Sequence, residues 1–157
     1  MTRIGVTGHR TLPASAIDFI TQGIRDVLSP YDSFIGYSCL AAGADQLFAT
    51  EVLAAGGKLH VVLPSAGYAT TFHGPDATRY RQLLSAASDR TELTFPAPSA
   101  PAYHAAGRLI ADLSDVLVAV WDGRAARGEG GTADIVEHAR SLSRDVRIIW
   151  PAGVTRE

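Results

Sequence analysis

The chain has 157 residues, 46% of them hydrophobic and 19% charged, with a net charge of −2. That length supports one domain with a sizeable core, and the charge balance argues against duplex nucleic acid as a partner. A single cysteine, Cys39, excludes an internal disulfide and agrees with a reducing compartment.

Arg3-Ile4-Gly5-Val6-Thr7 reads as a buried first strand ending in the turn Gly8-His9-Arg10. No charged-then-apolar leader precedes it, and no apolar run approaches the ~20 residues of a membrane helix. A cytoplasmic protein without membrane contact is therefore expected. Pro13 suits the first turn of a helix, where its missing N–H costs nothing. Ile17, Ile20, Ile24, Val27 and Leu28 then recur at helical spacing until Ser29-Pro30. Ser33 to Tyr37 is the second strand, followed by a glycine-bearing loop and a helix over 45–55 closed by Gly56-Gly57. Leu59-His60-Val61-Val62-Leu63 is the third strand, cut off by Pro64. The loop 64–75 leads to a helix near 76–88, and His73-Gly74-Pro75-Asp76 with Arg79 and Tyr80 reads as a flap. A short strand around 92–95 runs into a Pro/Ala/Ser stretch at 96–102. Then come a helix over 103–113, the strand Val116 to Trp121, a helix from Thr132 to about Leu142, and a last strand Val146 to Trp150. Strands alternating with helices predict a mostly parallel sheet covered on both faces. The whole of 1–157 reads as one three-layer Rossmann-like α/β domain.

Ligands of such sheets bind outside the carboxyl ends of the strands, where the winding reverses. The loops at 7–10, 38–45, 64–75 and 122–131 all fall at that edge. Glycines let backbone approach a ligand closely, and a helix's unpaired first N–H groups favour an anion. Gly130-Gly131-Thr132, directly after an apolar strand, is the best phosphate candidate; Thr132 either caps the helix or donates to the anion. In the earlier loop, the backbone of Ala42, Gly43 and Ala44 is a ligand contact, and Asp45 fits helix capping as well as binding. Arg10 can clamp a phosphate, and His9 can contact a base or move a proton. Asp122, with Gly123 after it, either accepts from ribose hydroxyls or holds its own loop. Trp121 is a core side chain before it is a stacking platform. Cys39 reads as a small half-buried thiol. His9, His60, His73, His104 and His138 show no zinc-like pairing, so no metal is expected, and no cofactor either. Neither a Gly-x-Ser-x-Gly elbow nor a Walker loop is present.

The chain resembles the SLOG superfamily, named for the DNA-processing Smf/DprA proteins and the cytokinin-activating LOG enzymes. Carrying the similarity are Gly5-Val6-Thr7-Gly8-His9-Arg10, Leu40-Ala41-Ala42-Gly43-Ala44-Asp45-Gln46-Leu47, Val61-Val62-Leu63-Pro64, Ser114 to Gly123, and Gly130-Gly131-Thr132-Ala133-Asp134-Ile135-Val136. It is most similar to bacterial members with TGHR, GAD and WDG…GGTA signatures, akin to the LOG-like "lysine decarboxylase" proteins. The resemblance implies a Rossmann-like fold that binds a nucleotide or nucleotide-derived ligand, and a homodimer or higher homo-oligomer. The apolar helix 45–55 is the expected support for such a dimer. LOG enzymes cleave the N-glycosidic bond of nucleoside monophosphates with a glutamate three residues after the motif threonine. Here that position is Ile135, so Asp134 and the loop residue Glu129 are the catalytic candidates. A ligand-binding or sensor module is the first reading, an N-glycosidase the alternative, and a structural subunit of a complex a third.

Overall fold

The computed structural model describes residues 1–125 and 131–155. Among them, β1 (Thr2–Gly8), β2 (Phe34–Ser38), β3 (Lys58–Ser65), β4 (Asp89–Phe95), β5 (Val116–Val120) and β6 (Asp145–Ile149) form one sheet in the order β4-β3-β2-β1-β5-β6. Every pairing is parallel. The chain steps outward from β1 to β4, then returns to place β5 on the other side of β1. The winding therefore reverses between β1 and β5.

The crossovers are α1 (Ile17–Leu28), α2 (Ala44–Ala54), α3 (Gly74–Ala86), α4 (Ala100–Leu113) and α5 (Thr132–Ser141). α1 and α2 cover one face, with α3 beside α2, while α4 and α5 cover the other. Successive strand residues point to opposite faces. Val116, Val118 and Val120 accordingly join Ile4, Val6, Ile24, Phe48 and Val52 in one core layer. Leu117 joins Tyr37, Val62, Ile110 and Ile135 in the other. Because both faces are covered, all five residues of β5 are buried, which is why that segment is apolar without alternation.

The structure corrects the sequence reading in four places. Pro64 does not end β3: the strand runs on to Ser65 through a register shift between Leu63 and Ser65. A proline is tolerated there because a bulge already interrupts the ladder. The Pro/Ala/Ser stretch holds the first turn of α4, where the Ser99 hydroxyl accepts the N–H of Ala102 at 3.2 Å and Pro101 occupies a position needing no N–H partner. The flap is a 3₁₀ turn (Tyr68–Thr71) followed by α3, and α3's first turn is tied to α2: Gln46 Nε2 donates to the carbonyls of Leu40 and Asp76, both at 3.1 Å. Finally, much of the apolar surface of α2 is spent inside the fold, with Ala44, Phe48, Ala49 and Val52 fully buried. The large apolar residues left exposed include Phe19 and Ile17 on α1.

α2 lies close on the sheet because Gly36 in β2 has no side chain. A Cβ there would meet Val52 Cγ2 at 2.6 Å and Phe48 at 3.3 Å. Gly36→Ala is expected to lower stability by about 1–3 kcal/mol through overpacking. In urea unfolding the midpoint should fall with an unchanged slope.

Candidate functional site

The site is built around the carboxyl end of β1. The His9 N–H donates to the carbonyl of Val120 at 3.2 Å, and the His9 carbonyl accepts the N–H of Ala44 at 3.1 Å. Its Nε2 accepts the N–H of Asp122 at 3.1 Å and lies 3.3 Å from Asp122 Oδ1. The ring meets Trp150 edge-on with centroids 5.3 Å apart. His9 is thus buried and joins β1, β5 and α2 to one another. Gly43, at φ +80°, lets α2 begin against this segment: a Cβ there would come within 3 Å of the Arg10 and His9 carbonyl oxygens. The N–H of Ala44 is therefore committed to the protein, as is that of Gln46, which donates to Ala41 O at 3.2 Å.

Arg10 leaves this seat into the open. Its guanidinium lies 4.7 Å over the ring of Tyr103 on α4, a cation–π geometry. The two side chains form part of a cleft of about 220 Å³, together with Ala41 and Ala42 after β2, Tyr68, Thr71, Phe72 and His73 after β3, and Asp76 on α3. Phe72 stacks on Tyr80 at 4.3 Å and meets Tyr68 edge-on at 5.1 Å, so the aromatic wall is packed in place.

Behind the cleft, Asp45 is 9% exposed in the first turn of α2. Its Oδ2 accepts the N–H of Ala41 at 3.3 Å, and its carbonyl accepts the Ser38 hydroxyl at 3.1 Å. Burial pushes its carboxyl up to about 7, against the opposing pull of the Ala41 and Cys39 N–H groups and of the Arg10 charge. Burial likewise raises the thiol of Cys39, so it is a protonated, poorly nucleophilic group. The Tyr68 hydroxyl is raised for the same reason. Leu40 between them has φ +58°, held by the Ser38 hydroxyl and by Gln46.

On the β5 side the structure separates what the sequence grouped. The Asp122 side chain accepts the N–H of Arg124 at 3.0 Å beside His9, which is the loop-holding role. Gly123 turns that loop at φ +83°. Trp121 is half-buried, not a core residue, and its indole N–H donates to Arg124 O at 2.8 Å. Gly131 precedes α5, and its carbonyl accepts the N–H groups of Asp134 and Ile135. Thr132 is buried at the first position of the helix, and Asp134 is half-buried in its first turn. Ile135, where the resemblance implies a glutamate, is 1% exposed and packs in the α4 layer. Gly130 and Glu129 lie outside the described residues. Among the described residues no His, Cys, Asp and Glu side chains converge as a metal site, and no helix is long and apolar enough to cross a membrane.

Of the expected site residues, Arg10 and Ala42 line the cleft, with His9, Gly43, Ala44 and Asp45 directly behind them. Tyr68, Thr71 and Phe72 were not anticipated. The available signal was the aromatic pair in a stretch with neither helical nor strand periodicity.

No protein-family model and no curated protein matches the chain. Solved structures do. DNA processing protein A (DprA) from Streptococcus pneumoniae superposes with a TM-score of 0.74 at 20% identity, over 99% of this chain and 53% of that one. The single-stranded-DNA-binding DprA from Helicobacter pylori gives 0.65 at 17%, over 94% and 64%. The molybdenum cofactor carrier protein from Chlamydomonas reinhardtii gives 0.58 at 19%, over 94% and 75%. The chain spans about half the length of the pneumococcal protein, and the likeness is one of fold. The Rossmann-like architecture implied by the SLOG resemblance is the architecture found.

Asp45 yields a pH prediction. Its proton is held more tightly in the folded chain than in the unfolded one, where it leaves near the ordinary 3.8. Stability from this group is therefore full below about pH 4, declines as pH rises to about 7, and is level above. The loss is on the order of 4 kcal/mol. Urea unfolding of the wild type between pH 4 and pH 8 should show this decline, and Asp45→Asn should show a decline smaller by that amount.

Proposed function

We propose that this protein is a binding or sensor module for a nucleotide or nucleotide-derived molecule, working in the cytoplasm. The observation that carries the reading is a guanidinium held over an aromatic ring inside a cleft at the carboxyl edge of a parallel sheet. Aromatic faces take a heterocyclic base by stacking, and Arg10 takes an anionic group by charge-assisted hydrogen bonds. Thr71, His73 and Asp76 offer polar groups to the rest of the ligand. At about 220 Å³ the cleft is smaller than the ~300–1,000 Å³ typical of sites that enclose a ligand, so a nucleotide sits with part of itself outside. Gly131 and Thr132, with Gly130, are the second anion position in this reading. Self-association belongs to the same proposal, supported by Ile17 and Phe19 exposed on α1.

N-glycosidic cleavage is less well supported, because the position implied for its glutamate is a core isoleucine. Glu137, two residues on, is exposed.

The test is a thermal-shift panel of nucleoside mono-, di- and triphosphates, cyclic and dinucleotides, NAD, ADP-ribose and a short single-stranded oligonucleotide, with chromatography of each ligand afterwards. A true ligand at a hundredfold excess over its dissociation constant adds about 2.7 kcal/mol to the native state. Arg10→Gln should weaken its binding about 10- to 100-fold, the worth of a charged hydrogen bond, and Tyr103→Ala should weaken it as well. Gly131→Leu separates anchoring at α5 from anchoring at Arg10. Release of free base would replace the module reading by the glycosidase, with Asp134→Asn and Glu129→Gln identifying the carboxylate. No shift with any compound would overturn the reading.

A further inference from the structure

We infer that Arg10 and Asp45 form a proton-coupled anion site, in which an anionic group of the ligand occupies the Arg10 guanidinium and Asp45 takes up one proton from solvent. This rests on the reading that an anion enters the cleft, and it adds how that site is regulated. Three observations carry it. Asp45 is buried directly behind the cleft wall formed by Ala41 and Ala42, and its carboxyl is held by backbone N–H groups. Among the described residues no salt bridge joins it to Arg10, whose guanidinium lies over Tyr103 and lines the cleft. Arg10 and Ala41, whose N–H the Asp45 carboxylate accepts at 3.3 Å, line the same cleft, so the carboxyl lies within the field of the Arg10 charge.

The coupling follows from electrostatics. Burial disfavours the Asp45 carboxylate, and the nearby guanidinium partly offsets that penalty. An anion on Arg10 cancels the offset and adds like-charge repulsion, so the carboxylate becomes a carboxylic acid. By linkage, protonating Asp45 must then favour the anion to the same extent. After β1, His9 faces Asp122 at 3.3 Å. Cys39 and the Tyr68 hydroxyl, pushed upward by burial, stay neutral through this pH range. On α3, Asp76 and Arg79 face each other at 3.5 Å. His73 lies at the cleft rim and is the group to control for.

Inorganic sulfate is the probe, since it remains a dianion throughout the range. Calorimetry should show sulfate binding the wild type about five- to tenfold more weakly at pH 8 than at pH 6, with proton uptake seen as a buffer-dependent heat at pH 7.5. Asp45→Asn, whose amide stands for the protonated acid, should abolish both the slope and the buffer dependence. His73→Asn should keep them, and Arg10→Gln should lose sulfate binding. Equal slopes in the wild type and Asp45→Asn, loss of the slope in His73→Asn, or absence of sulfate binding at pH 6 would each overturn the inference. Should Asp45→Asn fail to fold, a buffer-independent heat in the wild type and His73→Asn would decide against it. Coupled sulfate binding that no nucleotide displaces would sink the nucleotide reading and leave this inference standing.

Discussion

Everything at this edge of the sheet depends on how the segment after β1 is seated. Both backbone hydrogen-bonding groups of one residue, His9, and its imidazole are used to fasten β1 to β5 and to α2. The seat closes only because residue 43 is a glycine with positive φ, for any Cβ would strike the carbonyls of His9 and Arg10. With the peptide fixed on both sides, the direction in which Arg10 leaves the chain is set. A flexible cation is thereby delivered to Tyr103, and among the described residues no ion pair holds it there.

The same seat explains why glycine loops that look alike in the sequence have different roles. At the start of α2 the amide groups of Ala44 and Gln46 already have protein acceptors, so the helix N-terminus serves packing first. What faces the cleft is the turn before it, Ala41 and Ala42, whose small side chains leave it open. Asp45 complements the helix dipole and satisfies Ala41, which would suffice to account for it. Burying it beneath a surface arginine adds something a cap on an exposed helix lacks: a carboxyl whose charge answers to what happens in the cleft.

Similarity of fold to DprA and to a molybdenum cofactor carrier fits this division of labour. The sheet and its crossovers are a scaffold that tolerates very different sequences, and chemistry is chosen by the few side chains at the carboxyl edge. Ile135 illustrates the point. An enzyme of the LOG type would need a carboxylate there, whereas this chain uses the position to pack α5 against Gly107 and the rest of the α4 layer.

The sequence by itself determined the alternation of elements, the burial of β5 on both faces, and the sheet edge on which the glycine-bearing loops fall. Those are properties of periodicity and of local capping, and they survive any detail of packing. It also placed Arg10, the turn at Ala42–Gly43 and Asp45 together at that edge, where the structure has a cleft. Only the tertiary structure decided which partners these groups have. Pro64 lies within a strand because a bulge absorbs it, and α4 starts early because Ser99 and Pro101 supply a cap that composition alone disguised. Asp122 turned inward to its own loop, Trp121 turned half outward, and Tyr68, Phe72 and Tyr103 met around Arg10 from segments far apart in the chain. Such choices are made by long-range contacts between strands ordered β3-β2-β1-β5, and no local pattern encodes that order.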